Sequence, residues 1–113
     1  MEELRERLRA FAAERDWEQY HSPKNLAMAL SVEVAELMEP LQWLTEEQSR
    51  ALSPETRLAL AEEVGDVLLY LVQLADALGI DPLAAARAKL AANAAKYPAD
   101  RARGRADKYT AYR

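Results

Sequence analysis

The chain has 113 residues, with 15 basic and 19 acidic side chains and a net charge of -4. That length suits one domain with a modest core, burying roughly two thirds of the surface its unfolded form exposes. Three Gly against 23 Ala, with eight aromatic residues and no Cys, is a helix-former's composition. It argues against β-sandwiches, Rossmann sheets and disorder, and the absence of Cys excludes disulfides, thiolate metal sites and cysteine nucleophiles.

No stretch approaches the ~20 apolar residues that span a bilayer. The charged start MEELRERL does not read as a signal peptide. A cytoplasmic address without membrane contact is therefore expected. The charge is uneven: residues 1–95 carry 9 basic and 17 acidic side chains (-8), and residues 96–113 carry 6 and 2 (+4). An acidic body argues against a nucleic-acid partner. The basic end is either a solvated tail or a contact for an anionic ligand or a neighbouring subunit.

Four helical stretches follow in order. The first runs from about Glu2 to Trp17, with Leu4, Leu8 and Phe11 at helical spacing. Ser22-Pro23 supplies an N-cap followed by proline at the first helical position, and the second helix carries Leu26, Leu30 and Leu37 on one stripe to a stop near Pro40. Residues 41–52 form a connector in which Thr45-Glu46-Glu47-Gln48 reads as a capping box. Ser53-Pro54 repeats the start signal, and Leu60, Val64, Val67, Leu71, Leu74 and Leu78 lead to a stop at Gly79. Asp81-Pro82 opens the fourth, which runs to about Lys96, before Pro98; Ala99 to Arg113 reads as a basic tail. The pattern predicts a single all-α, four-helix bundle-like domain over residues 1–113.

Two acidic pairs break the apolar stripes. Glu33 falls among Leu26, Leu30 and Leu37, with Glu36 one turn on. Glu63 falls among Leu60, Val67 and Leu74, with Asp66 three residues later and Tyr70 four beyond that. A desolvated carboxylate costs several kcal/mol unless paired. No Lys or Arg lies between Leu26 and Glu39 or between Leu58 and Leu78. The missing cation must come from outside, and all-oxygen donors favour Mg²⁺ or Mn²⁺. Mg²⁺ commonly shares its shell with phosphates, which points toward nucleotides. A lone E-x-x-E on a helix is ordinarily a solvated face, but two set in apolar stripes call for another reason. A di-iron or di-manganese bundle is the rival metal reading; it wants E-x-x-H pairs, and His21, the single histidine, lies outside both motifs.

The motif Glu33-x-x-Glu36, 26 intervening residues and Glu63-x-x-Asp66 resembles the signature of the MazG-like all-α nucleoside triphosphate pyrophosphatases. The stretch Phe11 to His21, Pro23-Lys24-Asn25-Leu26, Gln42-Trp43, Asp66 to Leu71, Lys89, Asn93, Lys96-Tyr97-Pro98 and Lys108-Tyr109-Thr110 are similar to the dCTP pyrophosphatase branch. The resemblance implies a hydrolase that releases a monophosphate and pyrophosphate from a nucleoside triphosphate. Glu33, Glu36, Glu63 and Asp66 would serve catalysis by holding Mg²⁺, with Mn²⁺ as the substitute. Trp17, Trp43 and Tyr70 would surround the base, and Lys89, Asn93 and Tyr97 would contact phosphates, sugar or base. It also implies a homodimer or dimer of dimers.

On their own terms, Trp17 and Trp43 read more readily as packing, Tyr70 as a core residue, and Lys89 and Asn93 as a solvated face. Either Glu33 or Glu36 could activate water. Leu8 stands where members of this branch carry a histidine, which leaves the preferred base open. The other reading is a non-catalytic helical oligomer that binds nucleotide and metal.

Overall fold

A computed structural model describes residues 1–104 and 106. The described residues are helical: α1 (Glu2–Glu14), a 3-10 turn (Glu18–Tyr20), α2 (Pro23–Met38), α3 (Glu46–Ser49), α4 (Pro54–Ala77), α5 (Pro82–Lys96) and α6 (Ala99–Ala102). The expected all-α class and the four longer helices are present. Lys108, Tyr109 and Thr110, and most of the expected tail, lie outside the described residues. No single helix among those described is long and apolar enough to cross a membrane.

Local chemistry sets the starts. The Ser22 hydroxyl accepts from the Asn25 N–H at 3.1 Å, and that of Ser53 from Thr56 at 3.2 Å. A carboxylate oxygen of Asp81 accepts from the Leu83 and Ala84 N–H groups at 3.0 and 3.1 Å. Each start thereby satisfies donors that no helical carbonyl reaches. The capping box at α3 is complete, with Gln48 accepting from the Thr45 N–H and Thr45 from that of Gln48.

The end of α1 corrects the sequence reading. The helix stops at Glu14 rather than Trp17, because Asp16 turns to φ 55 and the Trp17 N–H reaches back to the Ala12 carbonyl at 3.0 Å. This is the stop that glycine usually provides; aspartate tolerates the left-handed region better than most residues. Trp17 is released from the helix and caps the 3-10 turn instead. The end of α4 follows the expectation: Gly79 has φ 68, and the Ile80 N–H reaches the Ala75 carbonyl at 2.8 Å. Gly79→Ala is expected to lower stability by about 1 kcal/mol through the strained φ, read as a lower urea midpoint at constant m.

The chain divides into two compact units, residues 1–80 and 81 onward. In the first, α2 lies along α4 as the main helix pair, and α1 also packs on α4. Arg9 of α1 grips Asp76 of α4 with two hydrogen bonds, at 2.8 and 2.5 Å, which hold the Asp76 carboxyl below the usual range. The buried apolar residues are Ala12, Leu26, Leu60, Val72 and Ala75. The stripe expected along α4 is therefore split: Leu60 is buried, whereas Val64, Leu71 and Leu78 are exposed in the single chain. The second unit is built on α5, on which no residue is buried.

Candidate metal and nucleotide site

Glu33 and Glu36 of α2 meet Glu63 of α4 across the α2–α4 interface. Glu33 and Glu63 are half-buried on the packed faces, at the stripe positions the sequence places them, while Glu36 and Asp66 are exposed. Glu33, Glu36 and Glu63 each bring one carboxylate oxygen within 4.8 Å of the others. One oxygen of Glu33 and one of Glu63 are fully shielded from solvent and accept no hydrogen bond.

That arrangement is costly as it stands. Burial, then hydrogen bonding and repulsion from Glu36, then the charges of Asp66 and Glu63 push the Glu33 carboxyl up to about 7. Burial, then the charges of Glu36 and Asp66, raises Glu63 as well. No Lys or Arg is paired to any of the three among the described residues. Orphaned, shielded oxygens with only carboxylate donors fit a hard divalent cation.

The sign of the pH dependence follows. From the ordinary carboxylate range to about 7, folded Glu33 holds a proton that the unfolded chain has lost. Metal-free protein is therefore expected to lose stability as pH rises through that window, with Glu63 acting in the same direction. Thermal unfolding in chelator between pH 5 and 8 checks it; a midpoint that rises with pH contradicts it.

Asp66 is not one of the close trio, although its charge acts on both Glu33 and Glu63. It lines a groove of about 410 Å³ with Trp17 and Tyr70. Leu4, Arg7, Leu8, Phe11, His21, Leu69 and Gln73 complete that wall. Phe11 presents its ring to the Trp17 ring edge-on, with centroids 5.7 Å apart, and the Arg15 guanidinium lies 3.7 Å from the Phe11 centroid. Glu36 and Glu63 line a second cleft of about 420 Å³ together with Glu39, Pro40 and Trp43. Trp43 is 84% exposed there, so packing within the first unit does not account for it.

Trp17 and Tyr70 thus share a wall with Asp66, and Trp43 shares one with Glu36 and Glu63. Lys89, Asn93 and Tyr97 belong to the second unit: Lys89 and Asn93 lie one turn apart on α5, and Tyr97 caps its end. Arg7, Glu39 and Gln73 line these clefts without being singled out by the sequence. A charged or amide side chain at i−1 or i+3 from a groove residue carries no periodic signal that separates it from a solvated face.

An all-α chain with E-x-x-E and E-x-x-D on two paired helices has direct counterparts. The chain belongs to the MazG-like family, whose model matches residues 28–111. Over 112 residues it is 46% identical to dCTP pyrophosphatase 1 of Homo sapiens and 47% identical to that of Mus musculus, covering 97% of this chain and 66% of each relative. It therefore spans just under two thirds of the length of these curated relatives. The crystal structure of a pyrophosphatase from Archaeoglobus fulgidus superposes with a TM-score of 0.82 at 42% identity, covering 87% of this chain and 92% of that one.

Proposed function

We propose that this chain is a Mg²⁺-dependent nucleoside triphosphate pyrophosphatase. Its substrate is a deoxynucleoside triphosphate, dCTP or a related pyrimidine nucleotide, cut to the monophosphate and pyrophosphate. One observation carries the reading: two shielded carboxylate oxygens without partners, from Glu33 and Glu63, beside Glu36. The names of the relatives, dCTP pyrophosphatase 1 and pyrophosphatase, support the substrate and the bond cut.

In this reading Glu33, Glu36 and Glu63 hold the ion, with Mn²⁺ as a substitute, and Asp66 adds charge from the next turn. When bound, the ion supplies neutralisation of the triphosphate, polarisation of the phosphorus under attack and acidification of nearby water. In this reading Glu36, exposed while its two partners are half-buried, accepts a proton from the attacking water. Trp17 and Tyr70 offer faces to the base, each worth roughly 1–3 kcal/mol of stacking. Trp43 lines the cleft beside Glu36 and Glu63, and, as the resemblance implies, Lys89 and Asn93 of α5 and Tyr97 at its end contact phosphates, sugar or base, Lys89 as a point charge.

The same reading includes a homodimer or dimer of dimers in the cytoplasm. Supporting assembly, α4 exposes Val64, Leu68 and Leu71 at helical spacing, with Leu78 exposed at its end, and α5 of the second unit exposes Leu83 and Leu90; apolar residues exposed in groups mark interaction surfaces.

The test is a panel of ribo- and deoxynucleoside triphosphates, common and modified, scored for pyrophosphate release with and without Mg²⁺. Release from a deoxypyrimidine nucleotide only with metal supports the reading; nucleotide binding without release from any member supports the non-catalytic oligomer. Light scattering gives the assembly state, and a monomer at working concentration contradicts the assembly claim.

A further inference from the structure

The groove's wall holds a hydrogen-bond acceptor whose direction is fixed. Gln73 is half-buried, and its amide nitrogen donates to the Leu69 carbonyl at 3.3 Å. A carbonyl can only accept, so the nitrogen must face Leu69 and the amide oxygen must face away. Among the described residues that oxygen accepts from no side chain or backbone group. Turning the amide over would set two carbonyl oxygens against each other and lose the Leu69 bond.

Gln73 lines the Trp17–Tyr70 groove, and with Leu8 and His21 it also lines a smaller neighbouring cavity of about 220 Å³. Leu8, beside it in both, offers no hydrogen bond. Arg7, on the same groove, is a donor only. Asp66 is an acceptor, but its charge already bears on the Glu33–Glu63 cluster.

We propose that the Gln73 amide oxygen determines base specificity by accepting a hydrogen bond from an exocyclic amine of the base held in this groove. Resting on the nucleotide reading above, this favours an amino-bearing pyrimidine over its oxo counterpart. Cytosine presents an N4 amine where uracil and thymine present an O4 acceptor. An oxo base would place two acceptors face to face, each deprived of water, and a site built to pair one group rejects its complement strongly.

The experiment compares kcat/KM for dCTP and dUTP in wild type, Gln73→Leu and Gln73→Glu, with folding of each checked by circular dichroism. Wild type is expected to prefer dCTP. Gln73→Leu should lower the dCTP-to-dUTP ratio about tenfold or more, through a higher KM for dCTP and a better kcat/KM for dUTP once the opposing acceptor is gone. Gln73→Glu, which keeps an acceptor, should retain the preference. An unchanged ratio in Gln73→Leu, no wild-type preference for dCTP, or equal loss in Gln73→Glu overturns the assignment. If wild type releases no pyrophosphate from any nucleotide, the enzymatic reading fails separately. Equilibrium binding of dCMP and dUMP to the same three proteins then decides the Gln73 assignment by the same ratio.

Discussion

Glu33→Gln is expected to unfold at a higher temperature than wild type at pH 8 in chelator, and to release pyrophosphate at least about a hundredfold more slowly with Mg²⁺ present. The two effects have one cause. In metal-free protein Glu33 is half-buried beside Glu36 and Glu63, with its carboxyl pushed up to about 7 by burial and by those neighbouring acids. The amide has nearly the same shape but no charge to desolvate, so it relieves repulsion from Glu36, Asp66 and Glu63. It is also a poor ligand for a hard dication, and removing even an outer-shell partner of a metal ligand usually costs 10–100-fold. Functional sites commonly hold such destabilising groups. Glu63→Gln should behave in the same way. Melting curves with steady-state pyrophosphate release read both effects; a variant that is less stable in chelator, or fully active, contradicts the account.

The second large effect is metal removal. Excess EDTA should abolish pyrophosphate release and restored Mg²⁺ should recover it. Saturating ion should also stabilise the fold: at a hundred times the dissociation constant the linkage is worth about 2.7 kcal/mol, a rise on the order of 10 °C for a domain of this size. Differential scanning calorimetry at matched protein concentration checks it. Glu33→Gln should show a much smaller rise, because the neutral amide weakens the site that binds the folded state. An equal rise in both proteins would place the ion elsewhere.

Much of this was legible before any coordinates. The three serine and aspartate caps with their following prolines located α2, α4 and α5 nearly to the residue, because a side-chain oxygen at that position satisfies donors that nothing else can reach. The carboxylates were visible because charge within an apolar stripe conflicts with burial, and Glu33 and Glu63 lie on the packed faces as that conflict requires. The stop of α1 was not visible, since Asp16 takes the left-handed turn that a reader looks for at glycine. Nor was the division of the α4 stripe, because a helix that buries one side in its own chain and exposes another apolar side has the same periodicity as one that buries both. Val64, Leu71 and Leu78 were indistinguishable from Leu60 on spacing alone. Gln73 escaped notice for a different reason: its meaning lies in which way its amide points, and the Leu69 carbonyl sets that.

The most direct measurement is a calorimetric titration of Mg²⁺ into metal-free protein near pH 7, repeated in buffers of different ionisation enthalpy to count protons. A saturable site that releases protons on binding is expected, because Glu33, whose carboxyl is pushed up to about 7, must ionise to serve as a ligand. Proton release should fade by pH 9, and the site should be lost in a Glu33→Gln, Glu63→Gln double variant. Saturable binding with no proton release at pH 7, or undiminished binding in the double variant, would contradict the claim that these buried carboxylates hold the ion.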